Sequence, residues 1–211
     1  MGDWASIDDE AVTGEEFVSL QVEFEAAVKA YQAKYRFGIR LISAYRVNNA
    51  TLRDGFEDRR GILRNKGKSD AVSRLYHGTS EKAAKIIVQR GFMLPRRAGM
   101  FGKGIYFADT PLKSLQYTQQ DGRGVMLVCD VALGNSMVKH SADNTLETES
   151  QKFKRGFIPR LLGQKSFDSV TAGKLAVRVP EYVVYNSTQA VPRYVLMVEK
   201  TKAHGYHGPR V

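Results

Sequence analysis

"GKGIYFADTPLKSLQYT", residues 102–118, is the stretch on which the reading of this chain turns. Gly102 and Gly104 lead into an aromatic run in which side chains alternate as on a strand. Ile105 and Phe107 take one face, and Tyr106 and Ala108 the other. Thr110 then stands where a helix cap belongs. Pro111 occupies the first helical position, where a missing N–H costs nothing. On that helix Ser114 and Tyr117 are three residues apart and share a face. If the helix folds back beside its strand, Tyr106 and Tyr117 can close on one flat ring from both sides, with the Ser114 hydroxyl at its edge. Such stacking adds about 0.5–1.5 kcal/mol beyond burial. Two ordinary half-buried tyrosines would read the same way.

Two further stretches join it. In "LYHGTS", residues 75–80, a strand ends at His77, and Gly78 leaves its backbone N–H and C=O open to close approach. A planar carboxamide can pair with both groups; a strand-terminal histidine followed by a turn glycine is the plainer alternative. In "PEYVVYN", residues 180–186, Pro180 opens a strand that puts Glu181 on the face of Val183 and Tyr185. An acid there is costly to bury unless it has a task. An exposed strand edge would remove the cost.

Around these lies a pattern of helices first and strands later, which predicts an α+β fold. Residues 1–13 read as a disordered N-terminus. Thr13 is placed to cap a helix over 14–35, with acids early, lysines late, and Phe17, Leu20, Phe24, Val28 and Tyr31 on one face. A strand over 39–44 precedes a short helix that ends in a basic, glycine-punctuated loop at 65–70. Thr79 or Ser80 caps a third helix that stops at Gly91. Residues 92–100 form a loop containing proline and arginine, and 124–135 a buried strand. Residues 139–165 read mostly as loop and 166–180 as another. Two final strands flank a turn near Gln189–Pro192. The chain shows no internal repeat.

Length and composition set bounds. The 211 residues suit one domain. Cys129 is the single cysteine, and His77, His140, His204 and His207 are scattered, so neither a disulfide framework nor a metal site is expected. The acidic start does not resemble a signal peptide, and no apolar run approaches the length of a membrane span. An intracellular location, nucleus or cytoplasm, and a monomeric state are the expectations. Residues 1–30 carry a net −7, which leaves +17 on the rest. A field of that sign favours polyanions, and Arg59–Lys68 and Lys152–Lys165 read as basic patches whose phosphate contacts would be salt-sensitive. Solubility alone would also account for the charge.

"LYHGTS", "GMFGKGIYFADTPLKSLQYT" (99–118), "DVALGN" (130–135) and "EYVVYNSTQAVPRYVLMV" (181–198) together resemble the catalytic domain of the poly(ADP-ribose) polymerases. These belong to the diphtheria-toxin-like ADP-ribosyltransferases, which carry a His–Tyr–Glu triad. "ISAYRVNNATLRDGFEDRRGIL" (42–63) extends the resemblance, which covers roughly residues 36–200. It implies two packed, mainly antiparallel sheets forming an NAD-binding cleft with flanking helices, in a single domain over 14–202 followed by a flexible tail at 203–211. It implies His77, Tyr106 and Glu181 as the triad. His77 would bind the adenosine ribose of NAD+, with Thr79 nearby. Gly78 and Ser114 would hold the nicotinamide carboxamide, and Tyr106 and Tyr117 would flank its ring. Glu181 would bind the 2′-hydroxyl of the nicotinamide ribose, with Lys113 beside the donor site. NAD+ would be a substrate, and no metal is implied. The loop 93–100 beside the donor site is short, and 139–180 matches no segment of the family closely, so the acceptor stays open: protein, growing ADP-ribose chain or nucleic acid. A catalytically silent NAD- or ADP-ribose-binding module and a non-catalytic nucleic-acid-binding protein are the competing classes.

Overall fold

The apolar-rich run Phe37–Arg46 (β2) pairs antiparallel with the chain's last strand, Ala190–Lys202 (β9). In the computed structural model, which describes residues 10–115, 122–146, 167–173, 177 and 179–202, seven further strands extend this pair. They are β1 (Glu10–Ala11), β3 (Val72–Thr79), β4 (Ile105–Ala108), β5 (Arg123–Ala132), β6 (Ser136–Lys139), β7 (Ser169–Ala172) and β8 (Glu181–Val184). Four helices accompany them: α1 (Gly14–Lys29), α2 (Ala50–Asn65), α3 (Glu81–Arg90) and α4 (Pro111–Ser114). The strand order is β1-β2-β9-β5-β3-β4-β8-β7-β6, and only β6 and β7 run parallel. The fold is α+β and mainly antiparallel.

The two sheets expected from the sequence are joined into one. β3 pairs with β5 along its whole length, but with β4 through a single register pair, Tyr76 with Ala108. A five-stranded half and a four-stranded half thus meet at one narrow joint.

Both faces of the central strands are covered. Leu127 and Cys129 of β5 pack with Leu75, Val88, Phe92 and Phe107 on the α3 side. Met126 and Val128 pack with Phe24, Tyr76, Leu112 and Leu115 on the side of α1 and α4. A strand buried on both faces has to read as a continuous apolar run, and β5 does.

Local signals set most helix ends. The Ser80 hydroxyl accepts the Ala83 N–H at 3.2 Å, and Gly91, at φ 82°, stops α3 where a side chain would be strained. Thr13 sits at the cap position of α1, but its side chain makes no capping bond. α1 ends at Lys29, short of residue 35, and Gln32–Lys34 form a 3₁₀ turn instead. The Gln32 amide there donates to the carbonyls of Tyr35 and Phe37. Residues 10–13, expected to be disordered, are ordered: β1 pairs with Arg46 and Tyr45, and Val12 is buried. Residues 1–9 and the tail 203–211 lie outside the described residues.

β7 falls inside 166–180, where a loop was expected, and β6 covers 136–138, for which the sequence predicts no element, and Lys139. Each is only four residues long, too short for alternation to mark it as a strand. The final turn is a 3₁₀ turn at Ser187–Gln189. Pro192 lies inside β9, beside the register shift opposite Val128 and Cys129, where its missing N–H is tolerated.

The stretch Arg59–Lys68 is not the free basic patch its sequence suggests. Arg64 pairs with Asp70 at 2.6 Å, and Arg60 lies 3.7 Å from the same carboxylate. Lys68 and Arg59 reach the buried Asp168 at 3.0 and 3.7 Å, and Asp168 also accepts the Asn135 N–H at 3.0 Å. Removing one member of such a cluster strands buried charge, so Asp168→Ala is expected to cost about 3–5 kcal/mol in a denaturant titration. A cost below about 1 kcal/mol would show that the cluster is solvated and structurally idle. Lys152–Lys165 lies outside the described residues.

Candidate functional site

A cavity of about 630 Å³ opens where β3 and β4 part. α3 and the loop after it form one wall, and α4 forms another. Six of the residues singled out in the sequence line it: His77, Gly78, Tyr106, Lys113, Ser114 and Glu181. Thr79 is half-buried at the end of β3 and is not part of the wall. Tyr117 lies outside the described residues.

His77 bridges the narrow joint. Its Nδ1 lies 2.8 Å from the Tyr106 carbonyl oxygen. A carbonyl only accepts, so Nδ1 carries the proton and Nε2 is left as an acceptor. Phe92 meets the ring edge-on at 5.1 Å and Phe107 tilts against it at 5.5 Å. Burial holds the imidazole below its ordinary value of 6.5, partly opposed by the Tyr106 carbonyl, so the ring is neutral at pH 7. Because the folded value lies below the unfolded one, the folded state loses stability as the pH falls below about 6.5 and is unaffected by this group above it. Melting temperatures measured between pH 7.5 and 5 should therefore fall toward acid, and fall less in His77→Gln. Equal slopes in the two proteins would contradict the assignment.

Tyr106 is fixed by its hydroxyl. The oxygen accepts the Phe101 N–H at 2.9 Å and donates to the Gly102 carbonyl at 2.9 Å. A Cβ on Gly99 would lie 2.6 Å from that oxygen, so glycine is needed for this turn to close over the ring.

Gly78 has a packing role that its sequence context does not show. A Cβ there would stand 1.9 Å from the Ser114 carbonyl oxygen. The place a Gly78 side chain would take is occupied by the backbone of α4, while Gly78 itself still lines the cavity. Glycine lets α4 dock on β3, and that docking brings Ser114 into the wall beside Gly78. Thr110 starts α4 as expected, its hydroxyl accepting the Leu112 N–H at 3.4 Å.

Glu181 is 5% exposed, which excludes the exposed-edge reading. Its backbone pairs with Ala108 on one side and Ala172 on the other. Lys113 Nζ lies 2.9 Å from its Oε1 and offsets the cost of burying the charge. The cleft thus joins a held carboxylate, a neutral imidazole and a fixed phenol on three neighbouring strands, β8, β3 and β4.

In the wall opposite, the loop at 93–100 supplies Met93, Pro95 and Arg97 beside the site as expected, whereas sequence reasoning missed Ile86 and Ile87 of α3 and Phe92. A signal was present, since residues 82–108 hold six cations and no acid. Among the described residues no group of three or more His, Cys, Asp or Glu is placed to hold a metal ion, and no helix is long and apolar enough to cross a membrane.

Comparison with known proteins places the chain in a family. Residues 14–200 match the family model for the poly(ADP-ribose) polymerase catalytic domain. The chain is 32% identical over 138 residues to the human "Protein mono-ADP-ribosyltransferase PARP4", covering 59% of this chain and 8% of that protein. It is 32% identical over 157 residues to "Poly [ADP-ribose] polymerase 2" of Arabidopsis thaliana, covering 62% of this chain and 24% of that protein. It is 27% identical over 154 residues to "Poly [ADP-ribose] polymerase tankyrase" of Caenorhabditis elegans, covering 58% and 7%. The chain thus spans at most about a quarter of the length of these relatives. With the match running from α1 to β9 and taking in every wall of the cleft, this chain belongs to the poly(ADP-ribose) polymerase catalytic-domain family.

Proposed function

We propose that the chain is an NAD+-dependent ADP-ribosyltransferase of the His–Tyr–Glu kind. The observation that carries the reading is Glu181, a carboxylate buried in a cleft and held by Lys113 at 2.9 Å. NAD+ is the substrate. Breaking the nicotinamide–ribose bond builds positive charge on the ribose, as in glycoside cleavage. Glu181, bound to the ribose 2′-hydroxyl, stabilises that charge where water is excluded. The same carboxylate can orient an incoming hydroxyl. His77, with Nδ1 committed to the Tyr106 carbonyl, offers Nε2 as an acceptor to the adenosine ribose. Gly78, Ser114 and the Tyr106 ring hold the departing nicotinamide, and Tyr117 is assigned its other face by sequence. Holding the leaving group lets the bond stretch in a fixed geometry.

Arg97 is the one cleft cation besides Lys113 among the described lining residues. It suits the donor's diphosphate. Arg97→Gln should raise KM for NAD+ about tenfold, in line with about 1.5–3 kcal/mol for a charge-assisted bond, with kcat little changed. An unchanged KM in steady-state nicotinamide release would remove Arg97 from the site.

The whole reading is tested by incubating the protein with labelled NAD+, with and without single- and double-stranded nucleic acid, and resolving products on denaturing gels. A ladder would mark chain elongation, and one discrete band a single transfer. The band's identity would name the acceptor: protein or nucleic acid. No label and no nicotinamide release in any condition would overturn the enzyme reading in favour of a binding module.

A further inference from the structure

Asp109 is the residue in this region that the chemistry above leaves without a role. It sits between two parts of the site. Ala108 before it is the backbone partner of Glu181, and Thr110 after it caps α4, which carries Lys113 and Ser114. Its carboxylate is bound from outside the cleft: the Tyr31 hydroxyl, just past the end of α1, donates to Asp109 Oδ2 at 2.6 Å. Asp109 Oδ1 is buried and has no hydrogen-bond partner. Burial holds this carboxyl above its ordinary range, and burial together with the carboxylate pushes the Tyr31 phenol up. Lys34 from the 3₁₀ turn and Tyr182 from β8 are the other charged and titratable groups that face the pair. The helices it links also share packing, since Phe24 of α1 lies in one cluster with Leu112 and Leu115.

We infer that Tyr31 and Asp109 form a latch through which α1 positions α4, and with it the Lys113–Glu181 pair; both are positioning residues. This rests on the transferase reading above. A buried carboxylate with one oxygen unpaired is costly by itself. Its single strong bond crosses to α1, so the turn ahead of α4 is held by whatever holds Tyr31. Movement of that turn displaces Lys113 relative to Glu181 without touching either.

The test compares Tyr31→Phe, Asp109→Asn and wild type in steady-state nicotinamide release, at a temperature where all three are folded. Tyr31→Phe, which removes only the donor oxygen, is expected to lower kcat/KM about tenfold, since a misplacement of about 1 Å can cost up to about 10²-fold. Asp109→Asn, whose amide oxygen accepts the same O–H, is expected to stay within about twofold. In a Lys113→Met background Tyr31→Phe should cost less than in the wild type, because the part of its effect that runs through Lys113 is gone. Hydrogen exchange of the amides at 110–115 should speed up in Tyr31→Phe. Unchanged kcat/KM, or the same loss in both backgrounds, would overturn the latch. If the wild type releases no nicotinamide, the transferase reading fails, and the exchange measurement decides the latch alone: unaltered protection at 110–115 overturns it.

Discussion

Glu181→Gln is expected to abolish measurable ADP-ribose transfer while leaving the protein folded and able to bind NAD+. The amide keeps the size of the side chain and one acceptor oxygen, so contact with a ribose hydroxyl survives. What it lacks is the charge that opposes the positive ribose at the moment of bond breaking. Removing one well-placed electrostatic stabiliser costs about 10²–10³-fold in rate. Here the same group is also assigned the acceptor-orienting step, so the loss should lie at or beyond the upper end. The readout is single-turnover nicotinamide release, which separates chemistry from binding. Equal NAD+ affinity, measured calorimetrically, is the control. Release within about threefold of wild type would show that Glu181 is not the stabilising group and that the Lys113 pair is structural.

Gly78→Ala should produce the second large effect, and it should act on fold and site together. The added carbon would stand 1.9 Å from the Ser114 carbonyl oxygen and 2.7 Å from its carbonyl carbon. Both are backbone atoms and cannot turn aside. α4 must therefore lift from β3, which separates Ser114 from Gly78 and moves Lys113 from Glu181. Overpacking of this kind costs about 1–3 kcal/mol, occasionally more, and backbone obstruction puts this case at the top. A lower urea midpoint at unchanged m-value, with NAD+ binding lost, is the expected pair of results. Gly61→Ala in α2 is the comparison: nothing lies within 4 Å of its added carbon, and helix propensity should make it neutral or stabilising by up to about 1 kcal/mol. A Gly78→Ala protein as stable as Gly61→Ala would mean that α4 does not rest on β3.

The contrast between these glycines shows what the sequence makes legible. Position 78 is readable as special, but its packing role is not. The obstacle is the backbone of residue 114, and no local pattern states that these two segments touch. Where the cause is local, the reading succeeds. Thr110 and Pro111 start α4, Ser80 and Gly91 bound α3, and strand alternation sorts Phe107 from Tyr106. Where the cause is a distant partner, it fails. Arg59 and Lys68 look like free charge until Asp168, a hundred positions from Lys68, is folded against them. β6 and β7 acquire their identity by pairing, because four residues each are too few to show a period. Glu181 was picked out because an acid opening an apolar strand demands a reason, but that reason, Lys113, lies on another element. The second ring of the proposed clamp, Tyr117, rests on sequence alone.

The narrow joint between β3 and β4 has a mechanical consequence. Two stiff plates connected by one rung, Tyr76 with Ala108, are softest in the direction that widens the gap between them. His77 belongs to one plate and Glu181 to the other. A dinucleotide reaching both would act as a brace.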